Sequence, residues 1–220
     1  MSARAEAATA EPARDCPYCP RLVAFRRANR ESEPAWFNAP VPSFGPREAR
    51  LLVVGLAPGL KGANRTGRPF TGDYAGDLLY ATLSEFGFAR GTYGARRDDR
   101  LALIDARITN AVRCVPPENK PTPQEIRTCN GFLAAILAEM PNLAAIVALG
   151  RVAHDSVAIT LNLKRSRAPF AHGAEHRVSE RVVLFDSYHC SRYNTNTGVL
   201  TPEMFRAVFA RVRAQLERTA

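Results

Sequence analysis

Four of the five cysteines fall in two pairs that could share one metal centre. Cys16 and Cys19 stand in the motif CPYC, where both thiolates can face one ion. Cys114 and Cys129 follow downstream with fourteen residues between them. Four thiolates so arranged can bind zinc tetrahedrally or hold an iron–sulfur cluster. The open second pair, set among prolines, sits better with a cluster than with two tight zinc knuckles. Four buried thiols are the plain alternative. A redox CxxC is disfavoured, because no thioredoxin-like context precedes it.

The second concentration of chemistry is the stretch LLVVGLAPGLKGANRTGRPFTGDYAG, residues 51–76. An apolar run ends in a loop with glycines at 55, 59, 62, 67, 72 and 76, which carries Asn64, Arg65, Arg68, Phe70 and Asp73. Neither common phosphate-binding loop fits. A P-loop needs Gly-Lys-Ser/Thr, and Lys61 is followed by Gly62 and Ala63; a dinucleotide fingerprint needs G-x-G-x-x-G, and Gly55 is followed by Leu56 and Ala57. A long surface turn is the bland alternative.

The elements that must position these residues alternate between strand and helix. Leu51–Val54 reads as a buried strand and Tyr74–Phe86 as a helix stopped by Gly87. Ala106–Cys114 reads as a second strand. Thr122-Pro-Gln-Glu125 is a capping box opening a helix that carries Ile126, Cys129, Phe132, Leu133, Ile136 and Leu137. Leu143–Leu149 is a third strand, followed by a helix over 152–161 and a basic loop over 163–177. Arg181–Asp186 is a fourth strand and delivers the polar segment SYHCSRYNTNTG, residues 187–198. Thr201-Pro202 caps a last helix with Phe205, Val208, Phe209, Val212 and Leu216 on its inner stripe. Near the N-terminus, a short amphipathic helix after CPYC sets Leu22, Val23 and Phe25 inward and Arg26, Arg27 and Arg30 outward. Such alternation predicts a parallel sheet covered on both faces, with its site at the carboxyl ends of the strands. Residues 15–220 are expected to form a single domain behind a disordered lead-in, 1–14.

The chain has 220 residues and a formal net charge of +9, with lysine only at 61, 120 and 164 and arginine supplying the rest of the basic charge. That balance points to an anionic partner, nucleic acid first, or to a compositional bias toward arginine. No apolar stretch of about 18 residues predicts a membrane span. The N-terminus lacks the apolar segment of a secretion signal.

Taken in order, CPYC, GLAPG, GANRTGRPFTGDYAG, ITNAVRCVPPENKPTP and SYHCSRYNTNTGVLT resemble the uracil-DNA glycosylase superfamily, and specifically its family 5, the type B enzymes that carry an iron–sulfur cluster. The resemblance covers roughly residues 15–210. It implies a three-layer α/β/α sandwich around a four-stranded parallel sheet, with an N-terminal cluster-binding arm. It implies a [4Fe–4S] cluster on Cys16, Cys19, Cys114 and Cys129, with Cys190 a spectator. The implied activity is monofunctional hydrolysis of the bond between deoxyribose and a flipped base, uracil or another deaminated or modified base such as hypoxanthine or hydroxymethyluracil, leaving an abasic site. The implied partner is double- or single-stranded DNA, the implied state a monomer away from membranes, and the implied place the cytoplasm at the nucleoid. Two departures are visible. Phe185-Asp186 stands where many members have His-Pro, and Leu56 and Ala57 stand where other branches place a polar or acidic residue.

On that resemblance Asp73 and His189 are the candidate catalytic residues. A carboxylate at 73 would orient water on the far face of an oxocarbenium-like sugar, although Asp also suits a helix N-cap. A neutral His189 would donate to uracil O2 as charge grows on the leaving base. Gly55, Leu56, Ala57, Phe70 and Asn110 are expected to line the base pocket with His189. Phe70 would stack on the pyrimidine and Asn110 would pair with N3–H and O4; a core aromatic and a strand-end cap are the bland readings of these two. Arg65, Ser191, Arg192 and Asn194 are expected at the DNA. His172 is a second-tier candidate. A non-catalytic DNA-binding protein with a structural metal cluster is the competing class, and a zinc-dependent hydrolase of small molecules is a weaker one.

Overall fold

The computed structural model describes residues 10–164 and 166–219. Along them run α1 (Pro20–Ser32), β1 (Leu51–Gly55), α2 (Ala63–Thr66), α3 (Tyr74–Glu85), β2 (Ala89–Arg90), β3 (Ala102–Leu103), β4 (Ala106–Asn110), α4 (Pro123–Ala138), β5 (Ala145–Leu149), α5 (Arg151–Thr160), β6 (Glu175–Arg177), β7 (Val183–Ser187), α6 (Arg192–Asn196) and α7 (Pro202–Arg218). The main sheet has the order β4-β1-β5-β7-β6. Its first four strands are mutually parallel.

The alternating side chains of β1 show why the sheet is covered twice. Leu51 and Val53 pack with Leu79, Leu83, Phe205, Phe209 and Val212 on the α3/α7 side. Leu52 and Val54 pack with Leu133, Ile136, Ala153 and Val157 on the α4/α5 side. Both faces of the four parallel strands are buried, so these strands carry no apolar–polar alternation. The helix starts match their sequence signals. Thr122 and Glu125 form a reciprocal capping box on α4, and Thr201 accepts from the Met204 amide at the start of α7.

The structure departs from the sequence expectation in four places. The sheet has five strands, because β6 adds an antiparallel edge to β7 within the stretch read as a basic loop. β6 is short and carries charged residues, as edge strands do to discourage further pairing. The second strand stops at Asn110, so Cys114 lies on the following turn and not in the sheet. On α1, Arg26 is buried with Leu22 and Asn29, not turned to solvent. The lead-in expected over 1–14 lies outside the described residues for 1–9; residues 10–14 are placed. Glu11 accepts from the fully buried Arg113, from Arg107 at 3.3 Å and from the Ser43 amide at 3.1 Å. Among the described residues, no helix is long and apolar enough to cross a membrane.

Candidate active site

The chain passes from β1 to β4 on one side and then to β5 on the other, which makes the carboxyl end of β1 a topological switch point. The parallel register sets Gly55 opposite Asn110 at that end. Glycine is required at 55, since a Cβ there would lie 2.4 Å from Asn110 Oδ1 and 2.5 Å from Phe70 Cζ. The amide and the ring therefore converge on bare backbone. Asn110 is 4% exposed. Its Oδ1 is buried without a hydrogen-bond partner, a deficit worth about 1–3 kcal/mol. The rings of Phe70 and His189 stack with centroids 5.9 Å apart. Burial pushes the His189 imidazole down to about 4, so the ring is neutral at neutral pH. A cleft lined by Leu56, Leu149, Gly150, Arg151, Phe170 and Tyr188 continues from His189. Ala57 turns the other way and packs against Leu22, Val112 and Cys129.

Phe70 has φ +51°, a left-handed conformation unusual for an aromatic, which costs on the order of 1–3 kcal/mol unless its surroundings hold it. They do. The Tyr80 hydroxyl donates to the Pro69 carbonyl at 2.7 Å and the Tyr93 hydroxyl to the Phe70 carbonyl at 3.1 Å. Arg68 donates both terminal nitrogens to Asp99 at 2.6 Å and Nε to Thr71. Its guanidinium lies within 5.1–5.8 Å of the ring centroids of Phe44, Tyr80 and Tyr93. Burial alone would raise the Asp99 carboxyl; the Arg68 fork and the Gly94 and Leu101 amides overcome it and hold the group at about 2. Tyr93 and Asp99 escaped the sequence reading because they stand in a polar arginine-rich loop whose fold-back on Phe70 has no local signal.

Asp73 is a helix cap that leaves one carboxylate oxygen outside the cap. Its side chain caps α3, with Oδ1 accepting from the Gly76 amide at 3.3 Å. Oδ2 faces the Gly59–Gly62 turn, where a Cβ on Gly62 would lie 2.4 Å away and one on Gly59 3.1 Å away. Burial raises its pKa, and the charge of Asp77 adds to that, against the Gly76 and Ala75 amides. Cys190, whose thiol is pushed up by burial and then by Asp73, is fully buried and faces the Ala75 carbonyl at 3.4 Å.

Ser191, Arg192 and Asn194 form the tip beyond His189. Ser191 caps α6 by accepting from the Asn194 amide. Asn194 Nδ2 donates to the His189 carbonyl at 2.8 Å and so braces the histidine. Arg192 lies over the Tyr74 ring, 5.4 Å from its centroid. Tyr193 is 74% exposed. Arg65, on α2, is also exposed. His172 does not enter the base pocket; its Nδ1 accepts from the Tyr188 amide at 3.1 Å and its ring stacks on Tyr188.

Asp186, one of the two departures, has a structural use. It receives His154 Nδ1 at 2.7 Å and His176 Nε2 at 3.0 Å, while His154 Nε2 reaches the Ala168 carbonyl at 3.0 Å. Burial opposes charge on His154, and the Asp186 carboxylate and Ala168 carbonyl outweigh it and raise its pKa. With both nitrogens of His154 engaged, the group is a closed network tying β7 to α5 and β6. It leaves no nitrogen of that ring free for a metal.

Cys16, Cys19, Cys114 and Cys129 line one cavity with Leu22, Arg26 and Phe132, and none is in a disulfide. Glu125 holds the two halves of this centre together. It closes the α4 capping box and receives Arg21 of α1 at 2.8 and 2.7 Å. Burial pushes the Cys129 thiol up to about 12. Burial, then the neighbouring Cys114 charge, pushes Cys19 to about 11. Burial therefore favours the neutral thiols, and these sulfurs would become thiolates only beside a cation. Among the described residues, the compact set of metal-competent groups with ligand atoms within 4.8 Å is His154, His176 and Asp186; the cysteines make no such set. One tetrahedral zinc with Zn–S of about 2.3 Å would hold its sulfurs roughly 3.8 Å apart, so this donor set fits a larger centre better.

The sequence profile described as the uracil DNA glycosylase superfamily matches residues 42–213. A type-5 uracil-DNA glycosylase of Thermus thermophilus is 48% identical over 200 residues, which span 88% of this chain and 90% of that protein. A type-5 uracil-DNA glycosylase of Pyrobaculum aerophilum is 39% identical over 204 residues, 91% of this chain and 88% of that protein. A type-4 uracil-DNA glycosylase of Archaeoglobus fulgidus is 32% identical over 154 residues, 68% of this chain and 69% of that protein.

Proposed function

The chain belongs to the uracil DNA glycosylase superfamily, and on that premise we propose that it removes uracil from DNA by hydrolysing the N-glycosidic bond of a flipped nucleotide, leaving an abasic site. One observation carries this reading: the buried, partnerless Oδ1 of Asn110, set between Gly55 and the Phe70 ring. A buried acceptor left unpaired by the protein is a place for a donor from a ligand, and uracil N3–H is such a donor. Phe70 supplies the stacking face. His189, neutral and half-buried at the cleft, donates toward O2 as negative charge develops on the departing base. Asp73 keeps its cap through Oδ1 and offers Oδ2 to the attacking water and to the positive sugar. A merely DNA-binding protein needs none of this convergence.

The reaction is monofunctional. A lyase would need an amine at the sugar, and none of Lys61, Lys120 and Lys164 lines the cleft beside His189; Lys120 is paired to Glu118. The pocket wall at Leu56 carries no hydrogen-bonding side chain, and Ala57, expected beside it, packs on the cysteine side instead; an apolar wall favours acceptance of hypoxanthine and hydroxymethyluracil beside uracil. Arg65 and Arg192 suit phosphate contact, and exposed Tyr193 suits the gap left by the flipped base. Uracil in single- or double-stranded DNA is the substrate; the enzyme acts as a monomer, in the cytoplasm at the nucleoid.

Cys16, Cys19, Cys114 and Cys129 would hold a [4Fe–4S] cluster. When bound, the cluster supplies four iron–thiolate links that fasten the CPYC arm and α1 to the β4–α4 connection. It takes no part in bond cleavage in this reading.

The test is incubation with an oligonucleotide bearing a single uracil, followed by alkali to cleave abasic sites. Wild-type protein should give the strand break only after alkali, and Asn110→Ala should lose most of it while still binding the DNA. Wild-type protein that yields no alkali-labile site, or that nicks the strand without alkali, would overturn the proposal.

A further inference from the structure

We propose that Arg26 is the buried counter-charge of the metal centre and sets its reduction potential. Arg26 is 3% exposed. Its Nη1 lies 3.5 Å from Cys114 Sγ and its Nη2 donates to the Cys16 carbonyl at 3.0 Å. Its Nε is buried with no partner. Among the described residues, Arg26 forms no ion pair, whereas on the same helix Arg21 is paired with Glu125 and Arg30 with Asp15. Asp15, which feels the Arg26 charge, is exposed and already bonded to Arg30.

A guanidinium always carries its proton. Burying one without a carboxylate costs several kcal/mol unless another anion is present. The anion available here is the cysteine quartet, whose wall Arg26 shares. A [4Fe–4S] centre with four thiolates bears net negative charge in its common states, and reduction adds one more electron. A fixed positive charge against one sulfur stabilises the reduced form more than the oxidised form. It thereby raises the potential and slows loss of the cluster to oxidation. The Arg113 amide, 3.3 Å from Cys129 Sγ, acts in the same direction on the other side. No sequence pattern announces this, because an arginine at helical spacing beside Arg27 and Arg30 reads as a solvated face.

The inference rests on the cluster assignment of the preceding subsection, and one measurement separates the two. Iron and sulfide analysis of anaerobically purified wild-type protein must find the cluster; protein without iron ends both. Given a loaded wild type, the comparison is with Arg26→Gln, which removes the charge, and Arg26→Lys, which keeps it. The readouts are the midpoint potential by titration followed by electron paramagnetic resonance, and the decay of visible absorbance in air. Arg26→Gln should shift the potential to more negative values and shorten the lifetime in air several-fold, with Arg26→Lys close to wild type. A loaded Arg26→Gln with wild-type potential and lifetime would refute the proposal. Should Arg26→Gln fail to assemble the cluster, Arg26→Lys decides. A loaded lysine variant near the wild-type potential upholds the charge, and a lysine variant that also stays empty shows that the arginine matters by shape alone.

Discussion

Replacing Asp73 by asparagine separates the observed cap from the catalytic role proposed for the same side chain. The cap is the bond from the Gly76 amide to Oδ1. Asparagine keeps an oxygen there and caps about as well as aspartate. Losing the charge at the helix start removes about 0.3–1 kcal/mol of dipole interaction. Burial works the other way: it raises the Asp73 pKa, so the ionised form is disfavoured in the folded protein and a neutral amide relieves that cost. The opposing effects leave a net stability change below about 1 kcal/mol, a Tm shift of roughly 2–4 °C at most in a chain of this size. The chemistry has no such compensation. A lost general base or water-orienting carboxylate typically lowers the rate about 10²–10⁴-fold, or roughly 3–5 kcal/mol of barrier. The assay is single-turnover release of uracil with enzyme in excess, run beside thermal melting and iron analysis of the same samples. The wild-type rate should also fall as acid protonates Asp73, at a pH above the ordinary aspartate value of 3.8 because the pKa is raised, and that limb should vanish in the variant. An Asp73→Asn protein that keeps the wild-type rate, or that loses stability in step with activity, would show that the residue is a cap and nothing more.

Gly55→Ala should abolish uracil release while leaving most of the fold, because the added methyl would meet Asn110 Oδ1 and Phe70 at 2.4 and 2.5 Å; release at the wild-type rate would mean that the pocket is elsewhere. His189 titrates at about 4 in the fold against 6.5 when free. The unfolded chain therefore takes up the proton first, and stability is lost as pH falls from the free value through the folded one, by up to about 3 kcal/mol. Denaturant titrations should find His189→Gln less acid-sensitive than wild type over that window. On matched duplexes carrying uracil, hypoxanthine or hydroxymethyluracil, the apolar wall at Leu56 predicts release of all three; release of uracil alone at saturating enzyme would contradict it.

What could be read in the sequence follows from where burial leaves a pattern. The runs at 51–54 and 143–149 announce strands because both faces are covered, and Thr122-Pro-Gln-Glu125 announces a helix because capping is local chemistry. β6 was invisible, as an edge strand of three residues, two of them charged, carries no apolar signal. The same holds for β2 and β3, two residues each. Gly55 and Asn110 were each conspicuous at a strand end. That they face one another depends on the β1–β4 register, a contact across more than fifty residues that no local pattern encodes. Arg26, expected to face outward, is buried: charged side chains look solvated until the partner that buries them is known. Asp73 offered a choice between cap and catalyst; the cap is present through Oδ1, and the second oxygen leaves the proposed catalytic role compatible with it.

Leu56 and Ala57 are consecutive residues with different neighbours. Leu56 lines the cleft beside His189, and its carbonyl accepts from the Val112 amide at 3.0 Å. Ala57 packs on the cysteine side. A single peptide unit is thus a party wall between two rooms, and neither can be remodelled alone. A larger residue at 57 would press on Leu22 and Cys129, and the peptide shift needed to relieve it would move Leu56 in the cleft beside His189. The wall also has a diagnostic use, because a spectroscopic probe of the cysteine centre should register a base entering the pocket next door.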